Sequence, residues 1–475
     1  MQILRRISET SSGKIRSRGN FVLCAILLGS FGVKFLLWIN ILNSDLNLFA
    51  WGDTKAYHDT AVAVHRIGVF SMTAADPTDP QTYRTPGYPA FLAAIYSIFG
   101  EQWSAAVMVQ IIISLLTIYI SYLIVRKLWG DRVALLTALI IALETATLTY
   151  TLKIMTETLF TFFVIFLIFA GIKAIENRRQ FIWSLLCGIS LAAATSVRPI
   201  SYFLLIPLAL FFLIVSISRK WNWRAVVVNQ LLILLPSILF ICAWKQRNER
   251  MSGSSVYTSI EGFYALFWQG AAVIAERDGI SIEEAQIRLG IGDGEKKEKR
   301  GTGYQKLHPE TADLTFERLS ERWLRDGEKI ILQHPFRFAK IYLTGIIRMF
   351  IRPGIHQLVQ MVFGESFDGP SPVVKRHTFM FIPFTIFSWA LLAFIYFGVF
   401  RFLFRRKKWT HSLLLLLLIL LYIVALSGGP SIDSRFRIPI VPILAMFCAA
   451  GWLNDRKPSA DNPHERNPEK TASAF

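Results

Sequence analysis

Trp51-Gly52-Asp53, followed by Tyr57 and His58 and closed by Arg84-Thr85-Pro86-Gly87-Tyr88-Pro89, is the first long polar stretch after the first apolar run of the chain. That run, Phe21 to Leu42, carries only Lys34 as a charged residue. It has the length, about 20 residues, that a helix needs to cross the hydrocarbon of a bilayer. The next apolar run, Gly87 to Phe99, is too short for a crossing and is expected to lie in or dip into the interface. A carboxylate, an arginine and two aromatic rings gathered at the edge of a bilayer describe a site that faces both lipid and water.

Outward from this stretch the whole chain reads as membrane protein. Of 475 residues, 53% are hydrophobic and only 18% are charged, against about 25% charged in soluble domains. Backbone polar groups cannot be left unpaired in hydrocarbon, so apolar stretches of this length read as helices. They fall at 21–43, 103–126, 132–150, 156–175, 181–197, 200–218, 225–246, 378–400, 411–427 and 438–453. The expected fold is an all-α polytopic bundle of about ten transmembrane helices. The division is a basic N-terminus 1–20, a transmembrane core 21–246 with its first loop at 44–102, and a larger segment 247–377. Three further transmembrane helices follow in 378–453, and then a polar tail 454–475 that is expected to be disordered. The first run is read as a retained helix and not a cleaved signal, because it is too long and no small-residue cleavage site follows.

The net charge is +18. In a soluble protein this would suggest nucleic acid; here the basic residues sit in short segments between apolar spans, and nucleic acid is excluded as a partner. Arg126, Lys127 and Arg132, then Lys173, Arg178 and Arg179, then Arg219, Lys220 and Arg224, then Arg401, Arg405, Arg406, Lys407 and Lys408, and lastly Arg456 and Lys457 alternate onto one side with the N-terminal cluster. The positive-inside rule makes that side cytoplasmic. Both termini are then cytoplasmic, in a bacterial inner or plasma membrane, contacting anionic lipids. Everything else of interest converges on the outer face: loop 44–86, the turns near Tyr150–Thr156 and Val197–Pro199, segment 247–377, and the turn Gly428–Arg437. The four cysteines, Cys24, Cys187, Cys242 and Cys448, all lie inside apolar spans and read as small hydrophobes. Within 247–377, Asp313 to Gln333 has the apolar spacing of an amphipathic helix with Asp313 as N-cap and Pro335 as its end. Gly292 and Gly294 break any helix before it, and Phe336 to Phe350 suits a helix lying on headgroups.

Several polar residues on that face can carry chemistry. Asp53 is either a general base for a hydroxyl or the N-cap of the segment beginning near Thr54. Glu157 is either a second carboxylate across a cavity from Asp53 or a local partner of Lys153 at a helix start. Arg84, Arg198, Arg435 and Arg437 offer guanidinium forks that match phosphate oxygens, or else snorkel to headgroups. His58 and His65 are seven residues apart, too far along one helix to share a metal, and no residue is assigned as a metal ligand. Lys34 and Glu144, inside apolar spans, are expected to be buried in the bundle as pathway residues, a structural pair or neutralised groups.

The run Asp53, Tyr57, Ala61, then Gly68-Val69-Phe70-Ser71, then Arg84-Thr85-Pro86-Gly87-Tyr88-Pro89 with Phe99-Gly100, resembles the GT-C superfamily of integral-membrane glycosyltransferases. The resemblance is to the bacterial branch similar to protein O-mannosyltransferases and the lipid A aminoarabinose transferase. Thr156-Glu157-Thr158-Leu159-Phe160, Val197-Arg198-Pro199, His334-Pro335 and Arg435-Phe436-Arg437-Ile438-Pro439 extend it, in order, over most of the chain. The resemblance implies transfer of a sugar from a polyprenyl-phosphate donor to a lipid, glycan or protein acceptor on the outer face. Asp53 and Glu157 match the family's two acidic positions and become the catalytic candidates. Many relatives carry two adjacent acids in the first loop, whereas Gly52 precedes Asp53 here and Asp59 is the next acid; a divalent metal ion stays open as cofactor. Arg84, Arg435, Arg437, Lys153 and Arg198 are the candidates for the donor phosphate, and Tyr57, His58 and Tyr88 for the substrate pocket. A phosphate leaving group needs positive charge and no general acid, and a single displacement inverts the anomeric centre. The alternatives are a transporter or flippase of lipid-linked sugars, for which Lys34 and Glu144 speak, and a polysaccharide polymerase or ligase using a lipid-pyrophosphate donor.

Overall fold

A computed structural model describes residues 2–176, 180–291, 301–364 and 378–453. The tail 454–475, with Arg456 and Lys457, and Arg178, Arg179, Gly292 and Gly294 lie outside the described residues. The first half runs α1 (Gln2–Asn43), α2 (Thr54–Ile67), a short antiparallel hairpin (Ser71–Thr73 with Asp76–Pro80), α3 (Gly87–Phe99), α4 (Trp103–Trp129), α5 (Asp131–Leu143), α6 (Thr145–Thr151), α7 (Glu157–Glu176), α8 (Gln180–Val197), α9 (Leu205–Ser218) and α10 (Trp223–Ser252). There follow α11 (Ile260–Tyr264), α12 (Ala271–Asp278), α13 (Ile282–Arg288), α14 (Thr302–Leu307), α15 (Phe316–Gln333), α16 (Pro335–Ile351) and α17 (His356–Phe363). The chain ends in α18 (Thr378–Arg405), α19 (His411–Leu426), a 3-10 turn Ser434–Ile440 and α20 (Val441–Leu453).

The chain is an all-α polytopic membrane protein. Among the described residues, 8 helices are long and apolar enough to cross a bilayer, and α5 with α6 forms an apolar pair bent by 60°, the shape of a broken span or a re-entrant loop. The bend falls at Glu144, which ends α5 and caps α6 by accepting from Thr147 N at 2.7 Å. Helix α19, expected as a full span, has 16 residues. At 1.5 Å per residue it measures about 24 Å, short of the hydrocarbon thickness of about 30 Å. Helix α3, with 13 residues, is likewise too short to cross. Large apolar side chains such as Phe21, Ile206, Ile214 and Phe404 remain 62–76% exposed, as expected where the solvent is lipid. Cys187 and Cys448 are buried, but Cys24 and Cys242 are exposed on the apolar surface, and all four are free thiols.

Lys34 is 1% exposed and donates to Ser30 Oγ (3.2 Å) and Ser114 Oγ (2.9 Å), tying α1 to α4. It does not pair with Glu144. An apolar groove of about 780 Å³ runs between α1, α5, α6 and α18, lined among others by Phe21, Ile26, Leu139, Leu143, Leu148 and Phe384.

The segment after α10 is a helical unit with its own core of Phe267, Tyr304, Leu319 and Trp323. The amphipathic helix read at 313–333 is present as α15, but it starts at Phe316 with Thr315 at the N-cap position and no side-chain cap bond. Asp313 is therefore not the cap. Pro335 opens α16 directly after the break at His334. Phe336 at the start of α16 is 90% exposed, which suits a helix lying against a membrane surface.

Helix α16 packs against the turn 428–430 through Gly345. A Cβ there would meet Gly429 O at 2.1 Å and Gly429 N at 2.6 Å. Both are backbone atoms that cannot swing away. Gly345→Ala is therefore expected to cost about 1–3 kcal/mol or more, read as a lower thermal midpoint of the purified protein.

Candidate active site

The first loop is fastened from below. Phe49 O accepts from Ile154 N at 2.8 Å, and Thr54 Oγ1 donates to Ile154 O at 3.0 Å. Lys153 Nζ donates to Leu48 O (2.6 Å) and Ala50 O (3.0 Å). These bonds set Asp53, at the start of α2, beside the start of α7, where Glu157 lies.

The second strap, 81–88, is fastened from both sides. Gln81 Oε1 accepts from Tyr83 N and Arg84 N, both at 2.9 Å, and its Nε2 donates to Thr60 Oγ1 at 2.8 Å. Thr82 Oγ1 donates to Glu317 Oε1 (2.6 Å), and Thr258 Oγ1 donates to Tyr83 O (2.9 Å). Thr85 Oγ1 donates to Val197 O at 3.0 Å, joining the strap to the residue before Arg198. Gly87 is needed for close approach, because a Cβ would stand 2.4 Å from Ser196 Oγ.

Five of the charged candidates come together on this scaffold. Arg84 Nη2 donates to Asp53 Oδ1 at 2.5 Å. Arg198 Nη1 donates to Glu157 Oε1 at 3.1 Å. Arg435 Nη1 stands 3.9 Å from Asp53 Oδ2, and Arg435 Nε stands 4.0 Å from Asp433 Oδ1. The guanidinium of Arg84 lies over the rings of Tyr57 (5.2 Å) and Tyr83 (4.8 Å). Arg198 is held between Phe160 (5.6 Å) and Phe436 (5.5 Å), and Phe436 also carries Arg435 (4.9 Å). Three carboxylates and three guanidiniums thus interleave, with aromatic rings as spacers. Arg84 Nε, Arg435 Nε and Glu157 Oε2, like Arg437 Nε, are buried with no hydrogen-bond partner among the described residues. Unpaired buried polar atoms of this kind are rare, and a bound water, ion or ligand is one way in which their bonding is completed.

Tyr57 lies in the middle of the cluster and is 8% exposed. Burial raises its phenol above the ordinary value, with Arg84 acting the other way and Asp53 and Glu157 adding to the rise. Burial alone would lower the Arg84 guanidinium, but Tyr57 and Asp53 outweigh it and leave the group raised. Asp53 occupies the N-cap position of α2 but makes no side-chain cap bond; its carboxylate is turned to the arginines instead.

The remaining candidates are placed elsewhere. Lys153 is 2% exposed and bonded to loop carbonyls, and it does not pair with Glu157. Arg437 is 0% exposed and pairs with Glu144 at 2.9 Å, turned away from Asp53. Tyr88 is 0% exposed, and its Oη donates to Gln110 Oε1 at 2.7 Å, below the strap. His58 faces α3 and α4, with Nδ1 at 2.9 Å from Tyr96 Oη and 3.1 Å from Trp103 Nε1. Tyr83, Asp433 and Phe436 are members of the cluster that the sequence did not single out. The neighbours of Arg84 and Arg435 in the chain were the signal for them.

Burial, offset in part by Asp45, pulls the Lys153 ammonium down to about 8. An unfolded lysine titrates near 10.4, so between about pH 8 and 10.4 the unfolded chain binds more protons and stability rises with pH. The thermal midpoint of the wild type relative to Lys153→Met is expected to climb across that window and stay level below it.

The donor set does not fit a divalent metal. A guanidinium sits on each of Asp53 and Glu157, where a dication would compete with it, and among the described residues no three of His, Cys, Asp and Glu are grouped so that they could hold a metal ion.

Residues 83–244 match the family model of dolichyl-phosphate-mannose-protein mannosyltransferases. The match takes in Arg84, Glu157 and Arg198 but neither Asp53 nor Arg435. No well-characterised protein matches by sequence. Among solved structures, ArnT from Cupriavidus metallidurans bound to undecaprenyl phosphate is similar at 12% identity and a TM-score of 0.46, over 91% of this chain and 60% of that one. The Archaeoglobus fulgidus oligosaccharyltransferase tethered to an acceptor peptide is similar at 14% identity and a TM-score of 0.49, over 90% of this chain and 49% of that one. The chain thus spans about half to 60% of the length of these proteins. The archaeal enzyme has also been solved with zinc and sulfate. The family match bears out the resemblance to GT-C glycosyltransferases. The family match, confined to residues 83–244, makes this part of the chain similar to dolichyl-phosphate-mannose-protein mannosyltransferases.

Proposed function

We propose that the chain transfers a sugar from a polyprenyl-monophosphate donor to an acceptor hydroxyl at the outer surface of the membrane, by a single inverting displacement. The observation that carries this reading is Arg435. Its guanidinium stands 3.9–4.0 Å from two carboxylates, with Nε buried and unbonded. It is a cation with bonding capacity left over, beside the carboxylate of Asp53.

In this reading Arg435 and Arg84 take the donor phosphate, whose charge grows as the glycosidic C–O bond breaks. The arriving phosphate draws the guanidiniums from Asp53, which is then free to accept the proton of the attacking hydroxyl. The proton ends on Asp53, the sugar carbon forms its new bond to the acceptor oxygen, and the bonding pair leaves with the phosphate. Glu157, held by Arg198, keeps Oε2 for a sugar or acceptor hydroxyl. The apolar groove beside α1 is the candidate bed for the isoprenoid chain. A flippase would place its ionisable residues near the bilayer midplane. Lys34 and Glu144 are the residues that speak for it; Lys34 is held by two serine hydroxyls between helices, and Glu144 by Thr147 and Arg437.

The test is turnover by the purified protein in lipid with a panel of polyprenyl-monophosphate sugars, followed as release of free polyprenyl phosphate. Release with one donor, undiminished by chelator, is the expected outcome. No release with any donor in the presence of acceptor-rich membrane extract overturns the reading and favours a pyrophosphate donor or a transporter.

A further inference from the structure

The buried pair Glu144–Arg437 lies at the junction of three elements. Glu144 divides its carboxylate between two tasks. Oε2 accepts from Thr147 N and Thr147 Oγ1, both at 2.7 Å, and so caps α6 at the bend. Oε1 accepts from Arg437 Nη2 at 2.9 Å. Arg437 Nη1 in turn reaches the end of α16, donating to Met349 O (2.6 Å), Phe350 O (3.3 Å) and Arg352 O (3.0 Å). The turn after α16 is clamped between the same partners: Thr145 Oγ1 donates to Pro353 O at 3.0 Å, and a Cβ on Gly354 would stand 2.5 Å from Ser434 Oγ. Both side chains of the pair are 1% exposed.

Arg437 lies two residues after Arg435 on the 3-10 turn Ser434–Ile440. At about three residues per turn, side chains two apart diverge by about 120° around the axis. Fixing Arg437 on the inner side therefore fixes the roll of the turn, and with it the direction of Arg435. Arg435 needs such a constraint because its own carboxylate contacts, at 3.9 and 4.0 Å, are long.

We infer that Glu144 and Arg437 are positioning residues for the donor phosphate: they act through Arg435, by locking the roll of the turn that carries it. The inference rests on the phosphate reading of Arg435 given above. A buried pair could instead serve stability alone, since removing one partner leaves an uncompensated charge. The two roles differ in coupling: positioning is lost when Arg435 is gone, whereas a stabilising role is independent of it.

The test is a double-mutant cycle on binding of a long-chain polyprenyl monophosphate to the purified full chain, with thermal midpoints recorded alongside. Glu144→Gln keeps shape and one acceptor and is expected to weaken binding about tenfold or more, as misplacement of a binding group does. Arg435→Ala is expected to weaken it at least as much. In the Arg435→Ala background, Glu144→Gln is expected to add less than about twofold, the coupling seen for groups acting as one unit. Should Glu144→Gln fail to fold, Arg437→Lys replaces it; lysine keeps the charge but lacks the fork that reaches the carbonyls and the carboxylate together. Multiplying effects, or a lower thermal midpoint with unchanged phosphate affinity, overturn the inference. Unchanged affinity in Arg435→Ala itself overturns the phosphate reading instead.

Discussion

Replacing Asp53 by Asn is expected to lower sugar transfer by about 10²–10⁴-fold, the usual contribution of a general base, with the thermal midpoint little changed. The choice of Asn matters. Arg84 has a side chain only 10% exposed and relies on Asp53 at 2.5 Å. Asp53→Ala would strand that guanidinium, at a cost of about 3–5 kcal/mol if it behaves as a broken buried pair. Lost activity would then be indistinguishable from lost folding. Asn keeps an acceptor oxygen for Arg84 and removes the basicity. Release of polyprenyl phosphate and a melting curve, measured on one preparation, separate the two effects. Full activity in Asp53→Asn removes Asp53 from the base role and moves weight to Glu157.

The second large effect is expected at Arg84. Arg84→Gln retains a donor for Asp53 and part of the packing against Tyr57 and Tyr83, but it loses the charge. Removing one preorganised donor from developing negative charge costs about 10²–10³-fold in kcat. The donor phosphate carries its extra charge chiefly when the glycosidic bond breaks, so kcat should fall more than KM rises. A rise in KM with kcat preserved would mean that Arg84 binds donor and transition state alike. Stability should suffer less than with Asp53→Ala, because the Asp53 side chain is 30% exposed and keeps Arg435 within 3.9 Å.

The arginines show where reading by position succeeds and where it stops. Arg84 and Arg435 stand at the ends of apolar runs beside the loop of Asp53, and that placement was visible in the sequence. Arg437 has the same credentials, two residues on, yet faces a different side of the turn and pairs with Glu144. Lys153 lies four residues before Glu157, the spacing of a helical ion pair. The chain between them is a bend and not a helix, so the pair does not form. Glu157 meets Arg198 instead, 41 residues away. Asp53 looked like a helix cap from composition; it holds that position and turns its carboxylate elsewhere. The hairpin at Ser71–Pro80 carries no alternating pattern and was not foreseen.

What the sequence by itself determined is the membrane-spanning architecture and the loops from which the site is drawn. Both are local properties. Hydrocarbon demands runs of about 20 apolar residues wherever a helix crosses, and the polar residues that remain are confined to the ends. What only the tertiary structure decided is the pairing: which guanidinium meets which carboxylate, which is locked inside, and which is left with an open bond. Coulombic attraction and hydrogen bonding act over a few ångströms in space, and the partners here lie from 31 residues apart for Arg84 and Asp53 to 382 for Arg435 and Asp53. Their meeting depends on the roll of a 3-10 turn, the bend at Glu144 and the close approach at Gly87, which helix packing sets.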